Sequence, residues 1–291
     1  MKPAPFDYHR PSTVEEAVEM LGAFGEGAKV LAGGQSLVPM LALRLATFEH
    51  LVDIGRIEAL RGIEWGPDRL RVGAGTTQAT VGRSADVAAA APLLARATPL
   101  IGHFQIRSRG TIGGSLAHAD PAAEYPAVAL ALDAEFEISG ASGRRTVAAS
   151  DFFTGRWSTA VGDDEVLAGI SFPVWNGRCG FAVREFARRH GDFAIAGAAV
   201  AVEVGDDGRV RRCGISTFGL GPTALRATAA ESAAVGASPD DIGPDDIGRL
   251  AVAGLDSIPA DLHGSAEYRR RVGAAITAAA WHGALEEALR D

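Results

Sequence analysis

The stretch "RGTIGGSLAHADP" (residues 109–121) sets two adjacent glycines, Gly113 and Gly114, between Thr111 and Ser115, just ahead of a His and an Asp-Pro pair. Paired glycine is costly to order, because Gly loses more backbone freedom on folding than any other residue. Something must need that backbone bare. "LAGGQSLVPM" (residues 31–40) repeats the same grammar: an apolar residue, Gly33-Gly34, a Ser, then a helix-forming run. Backbone N–H groups in a tight turn or at a helix N-terminus bind diphosphate well, and glycine admits the close approach. Each charge-assisted hydrogen bond of this kind contributes about 1.5–3 kcal/mol. A tight turn with a helix cap would explain either stretch alone. Two such stretches in one chain, each with a Ser, point to one shared phosphate-bearing ligand.

The rest of the chain sets bounds on that ligand and its setting. With 291 residues, the chain is long enough for one large domain or two ordinary ones. A net charge of -8 argues against a general nucleic-acid binder. The two cysteines, Cys179 and Cys213, form no C-x-x-C pair and cannot supply a four-cysteine iron–sulfur or zinc site. The N-terminus "MKPAPFDYHRPSTVEEAV" has no apolar core of signal-peptide type, and no run is long enough to span a bilayer. A soluble, cytoplasmic protein is expected.

Local patterns predict the organisation. "RPSTVEEAVEMLGAF" is a helix with Ser12 or Thr13 as N-cap, followed by the strand "AKVLA". "SLVPMLALRLA" is a helix capped by Ser36. "HLVDI" and "RLRVGAG" are strands of a small parallel or mixed unit with "AKVLA". "TQATVGRSADVAAAAPLLARATPLIG" is helical with a break at Pro92. "DPAAEYPAVALALDA" is a helix with Asp120 as N-cap and Pro121 at its first position. "EFEIS" and "RRTVAAS" form a hairpin, and "VLAGISFP" is another strand. The pattern changes after residue 176. Three antiparallel strands follow, then helices, the last starting at Ser265. The expected domains are therefore 1–176 and 177–291.

"VGAGTTQ" (72–78) competes as a nucleotide site. It begins G-x-G, but Gln78 stands where the third glycine belongs, and no acidic residue follows at the right distance. His118 has no second ligand at metal spacing and reads as hydrogen-bonded structure. Arg107 and Arg109 are candidates either for the diphosphate or for salt bridges.

Taken together, "LAGGQSLVPMLALRL", "IRSRGTIGGSLAHADPAAEYPA" and "HGSAEYRRRV" resemble the FAD-binding medium subunit of molybdenum hydroxylases, the group of aerobic carbon monoxide dehydrogenase and xanthine dehydrogenase. The resemblance runs the length of the chain. It implies an α+β architecture: the two-subdomain FAD-binding fold of the vanillyl-alcohol-oxidase type, then a C-terminal three-stranded antiparallel sheet with helices. It further implies that Ala32, Gly33, Gly34, Gln35 and Ser36 form a first phosphate loop, and Thr111, Ile112, Gly113, Gly114 and Ser115 a second. Glu124 would hydrogen-bond the ribityl or nearby hydroxyls; a solvated helix residue is the alternative. Ile101 and Leu167 would pack on the flavin. Phe193 would lie near the isoalloxazine face, with ordinary core burial as its alternative.

The implied function is electron transfer through non-covalent FAD. Electrons would arrive from 2Fe–2S clusters in a small partner chain, themselves reduced by a molybdenum cofactor in a large partner chain, the whole being a dimer of heterotrimers. No residue of this chain would be an acid or base for substrate hydroxylation. Two other readings remain: a self-contained FAD-dependent oxidoreductase of the same fold, and a non-catalytic nucleotide-binding module.

Overall fold

The computed structural model of the chain describes residues 2–290. Three sheets carry the fold. The first is a parallel sheet of three strands in the order Asp7–His9, His50–Asp53, Ala28–Leu31. Helix Val14–Phe24 packs on it through Val14, Ala17, Val18 and Leu21, the i, i+3, i+4, i+7 set of one helix face. Thr13 is the N-cap, its hydroxyl accepting from the Glu16 N–H, while Ser12 instead bonds the Glu16 carboxylate.

The second sheet is antiparallel, with five strands in the order Ile63–Trp65, Arg69–Gly73, Val166–Pro173, Glu135–Gly140, Gly143–Ala148. The expected placement of "RLRVGAG" beside "AKVLA" is thereby corrected. Arg69–Gly73 pairs with Val166–Pro173, and Arg71 forks onto Glu137 two strands away. The helical run after residue 77 is three short helices, Gln78–Arg83, Ala85–Ala90 and Pro92–Ala97. Ser84 and Pro92 divide them, and Ser84 caps the second helix. An unexpected helix, Phe104–Arg109, leads into the second glycine motif.

The third sheet is antiparallel. Its long strands Arg178–Phe186, Ala196–Val204 and Val210–Phe218 are joined by a short fourth, Leu225–Arg226. The middle strand is buried along its whole length, because helix Ala266–Ala288 covers one face and the preceding domain covers the other. Gly180 and Gly214 allow those contacts, since a Cβ at either would overlap the backbone of Ala284 or Ala131. Phe181, Val183 and Phe218 share one core with Tyr125, Phe136 and Phe172. Arg96 and Glu287 add a charged tie across the same junction, where the Glu287 carboxylate also accepts the Phe181 N–H at 3.0 Å. No helix among the described residues is long and apolar enough to cross a membrane.

Candidate cofactor site

The two glycine motifs meet. The first follows the carboxyl end of strand Ala28–Leu31, which is where ligands bind on parallel sheets. A Cβ on Gly33 would lie 2.7 Å from the Gly110 Cα and 2.8 Å from the Arg109 carbonyl carbon. Only a bare residue lets these backbones touch. Gly34 adopts a left-handed φ of 71°, which reverses the chain into helix Leu37–Ala42. The backbone N–H groups of Ala32, Gly33, Gly34, Gln35 and Ser36 donate to no acceptor among the described residues. Gln35 folds back, its amide donating to the Gly33 carbonyl at 2.9 Å. Ser36 stands at the N-cap position without making a side-chain cap bond.

The second motif is built differently. Thr111 caps helix Ile112–His118, accepting the Gly114 N–H at 2.9 Å. The Ile112 N–H donates to the Thr76 carbonyl and the Gly113 N–H to the Ala74 carbonyl. Gly113 is buried against Ala74, where a Cβ would sit 2.7 Å from the Ala74 oxygen. So Gly113 is a packing glycine, and the "VGAGTTQ" stretch is its anchor. Gly73 and Gly75 in that stretch press on the Leu60 backbone rather than on any open groove. Gly114 is half-buried and faces the first loop: a Cβ there would lie 3.5 Å from the Ala32 Cβ. Ser115 is also half-buried, its hydroxyl without a partner among the described residues.

Two cations belong to the segments that meet here: Arg109, whose backbone abuts Gly33, and Lys29, on the strand that leads into the first loop. Arg109 and Lys29 make no ion pair among the described residues, and both are exposed. Lys29, which lies outside both glycine motifs, is close enough to His118 to oppose its protonation. Burial is the larger reason that His118 sits below its usual value, and Asp120 works the other way. Arg107 does not face the loops. It donates to the carbonyls of Ile101 and Gly102, each at 2.8 Å, and so fixes the turn that leads into helix Phe104–Arg109. Tyr8 donates to Asp53 at the end of the neighbouring strand, a contact with no local signal in the sequence.

At the far end lie the residues expected near the ring. Helix Glu124–Ala131 begins at Glu124 with Ala123 as its N-cap, so Asp120 is not the cap. Its carboxylate instead accepts the Ala122 N–H at 2.9 Å in a turn of its own. Glu124 is buried, which excludes the solvated alternative. Burial pushes its carboxyl up to about 8, with Glu185 and Asp120 adding to the shift and Arg107 opposing it. Glu185 comes from strand Arg178–Phe186, on the same side as Phe181 and Val183, and burial lifts it to about 7. Glu124 is therefore mainly protonated at neutral pH and can donate a hydrogen bond.

Phe193 is 70% exposed, which excludes core burial for it. Its loop reaches the other domain at Gly191, which lies against Gly102 and His103, while His190 stacks on His103 with centroids 6.2 Å apart. The structure thus brings Ile101 and the Phe193 loop together, with Ile101 partly buried. Leu167 is 5% exposed and packs within the domain core, beside a register shift in its strand.

A bare backbone cradle with unpartnered amides, flanked by cations that make no ion pair among the described residues and ending near the neutral Glu124 carboxyl and an exposed aromatic, fits a dinucleotide. The diphosphate would take the amides, and the uncharged polar chain and ring the far end. No group of three or more His, Cys, Asp or Glu among the described residues is placed to hold a metal ion.

Comparison with known proteins agrees. Residues 4–175 match the family of the FAD binding domain in molybdopterin dehydrogenase, and residues 181–284 that of the CO dehydrogenase flavoprotein C-terminal domain. The 6-hydroxypseudooxynicotine dehydrogenase complex subunit alpha of Paenarthrobacter nicotinovorans is 39% identical over 272 residues, covering 94% of this chain and 92% of the relative. The carbon monoxide dehydrogenase medium chain of Hydrogenophaga pseudoflava is 43% identical over 226 residues, 78% of each chain. A solved structure of carbon monoxide dehydrogenase from the same organism superposes with a TM-score of 0.95 at 40% identity, covering 99% of both chains. Quinoline 2-oxidoreductase from Pseudomonas putida 86 gives 0.93 at 33% identity, covering 100% of both. The paired glycine loops, the antiparallel C-terminal sheet and these matches agree: the chain belongs to the FAD-binding medium subunits of the molybdenum hydroxylases.

Proposed function

We propose that this chain carries electrons from iron–sulfur clusters in a small partner chain, through its FAD, to an external acceptor. A large partner chain would hold the molybdenum cofactor and the organic substrate, in a cytoplasmic dimer of heterotrimers. Residues 1–176 would form the FAD domain and 177–291 the domain that closes over it. The observation that carries this reading is the run of unpartnered amides from Ala32 to Ser36, set against the Arg109–Gly110 backbone.

When bound, the flavin supplies the two-electron to one-electron redox chemistry. The protein supplies position and electrostatics. The Ala32–Ser36 amides, the Ser36 and Ser115 hydroxyls, Lys29 and Arg109 would hold the diphosphate. Thr111 and Ile112 fix the second loop, and Gly113 lets it seat on Ala74. Glu124 would donate from a neutral carboxyl to a ribityl or ring oxygen. Ile101 and Phe193 would flank the ring. Leu167, in the core against which Ile101 packs, would lie on the flavin from that side. Cluster ligation belongs to the partners, since two cysteines cannot supply a four-cysteine site.

Purification tests the reading. The chain should be yellow, and acid precipitation should release its flavin into the supernatant, as expected of a non-covalent cofactor. A colourless chain that takes up no added FAD, or flavin that stays with the pellet, contradicts it.

A further inference from the structure

Arg269 lies on helix Ala266–Ala288, away from both glycine motifs, yet it is 4% exposed. Its Nη1 donates to the Ile195 carbonyl at 2.7 Å and to the Gly219 carbonyl at 3.4 Å. Its Nη2 donates to both Asp261 carboxylate oxygens, each at 2.8 Å. Both carbonyls sit at informative places. Ile195 closes the excursion that carries Phe193, because its N–H donates back to the Phe186 carbonyl at 2.8 Å. Gly219 ends strand Val210–Phe218 with a φ of 75°, and its N–H donates to the Pro121 carbonyl at 2.8 Å, just past the second glycine motif. One guanidinium therefore joins three things: the base of the Phe193 loop, the end of a central strand, and the tail of the motif that faces the cofactor. The Arg269 Nε is left buried with no acceptor. A site needing only bulk would be filled at less cost by an apolar side chain.

We infer that Arg269, held by Asp261, is a positioning residue for the cofactor site: it fixes the base of the 187–194 loop, and through it the place of Phe193, relative to the second glycine motif. The inference rests on the reading that Phe193 lies beside the flavin ring. The loop itself has few other anchors. Arg188, Arg189, His190, Asp192 and Phe193 are all exposed, and its contact with the other domain runs through Gly191 and His190.

The test uses the full chain and two readouts. Asp261→Asn removes the charge that holds the guanidinium while leaving Arg269 itself in place; Arg269→Lys keeps the charge without the fork. The first readout is tryptic cleavage after Arg188 and Arg189, followed by mass spectrometry, with and without added FAD. Both variants should be cut about fivefold faster or more at these two sites, with cleavage elsewhere unchanged. This arm needs no flavin, so it stands even if the FAD reading fails.

The second readout is the fluorescence yield of bound flavin in Asp261→Asn, Phe193→Ala and the double variant, each at full occupancy. Asp261→Asn should change the yield, and should add nothing once Phe193 is gone. Wild-type cleavage rates in both variants overturn the inference. So does an unchanged flavin yield in Asp261→Asn, or an effect of that substitution that persists undiminished in the Phe193→Ala background.

Discussion

Replacing Gly33 with Ala should strip the chain of FAD while leaving it folded. The added Cβ would sit 2.7 Å from the Gly110 Cα and 2.8 Å from the Arg109 carbonyl carbon. Both obstacles are backbone, so no side chain can swing clear. Carbon atoms need about 3.5 Å or more, so the two loops must part by about 1 Å. A donor at about 2.9 Å from a phosphate oxygen would then stand near 3.9 Å, outside hydrogen-bonding range. Losing two charge-assisted bonds at about 1.5–3 kcal/mol each weakens binding by about 3–6 kcal/mol. The dissociation constant should rise about a hundredfold to ten-thousandfold. The assay is titration of FAD into flavin-free chain, read by flavin fluorescence, with a thermal melt of the same sample to show that the fold survives. A Gly33→Ala chain that binds FAD within about threefold of wild type would mean that the two loops tolerate a Cβ there without parting.

Gly114→Ala should be milder, about tenfold or less in FAD affinity by the same titration. Its Cβ meets the Thr111 hydroxyl at 2.8 Å, and that group can rotate away once its hydrogen bond to the Gly114 N–H is given up. Glu124→Gln should flatten the pH dependence of the melting temperature. The folded Glu124 carboxyl is raised to about 8 from an ordinary value of 4.5. The fold thus holds a proton that the unfolded chain releases, and stability is full below 4.5 and declines as pH rises toward 8. An unchanged slope between pH 5 and 8 in the variant contradicts this. The same variant should keep FAD at neutral pH, because the amide also donates a hydrogen bond. Arg96→Ala should lower stability by about 1 kcal/mol, allowing for its partial exposure, with the loss read from urea unfolding. The substitution removes both the Glu287 fork and the bond to the Phe181 carbonyl at the domain junction. A midpoint equal to wild type would show that the junction does not depend on it.

What was legible in the sequence follows the range of the forces involved. The Val14–Phe24 helix, its acidic first turn, the Ser265 cap and the three long C-terminal strands are written in local periodicity and capping, and they appear where expected. Strand Asp7–His9 leaves no signal in the sequence because three residues, two of them exposed, carry no alternation; pairing with His50–Asp53 makes it a strand. "RLRVGAG" is legible as a strand, but its pairing with Ile63–Trp65 and Val166–Pro173 is not, since a strand's sequence states its own faces and not its partners. Asp120 looked like a helix cap because Asp-Pro favours that position, yet a turn closed by the Ala122 N–H competes for the same carboxylate. At the site, the glycine pairs were visible but their division of labour was not. Gly33 admits another backbone, Gly34 reverses the chain, and Gly113 packs on Ala74, all of which depend on contacts far apart in sequence. Lys29 and Arg269 were invisible as site residues for the same reason.

In the proposed function, the flavin of this chain is one stop on a path that starts in another chain. The most direct test of that path is the visible absorbance of the flavin under anaerobic conditions, with organic substrates of the molybdenum hydroxylases added to the isolated chain and then the small and large partner chains supplied. No organic substrate should bleach the flavin until both partners are present, whereas dithionite should bleach it at either stage. Bleaching by an organic substrate in the isolated chain would contradict that path and identify a self-contained flavoenzyme.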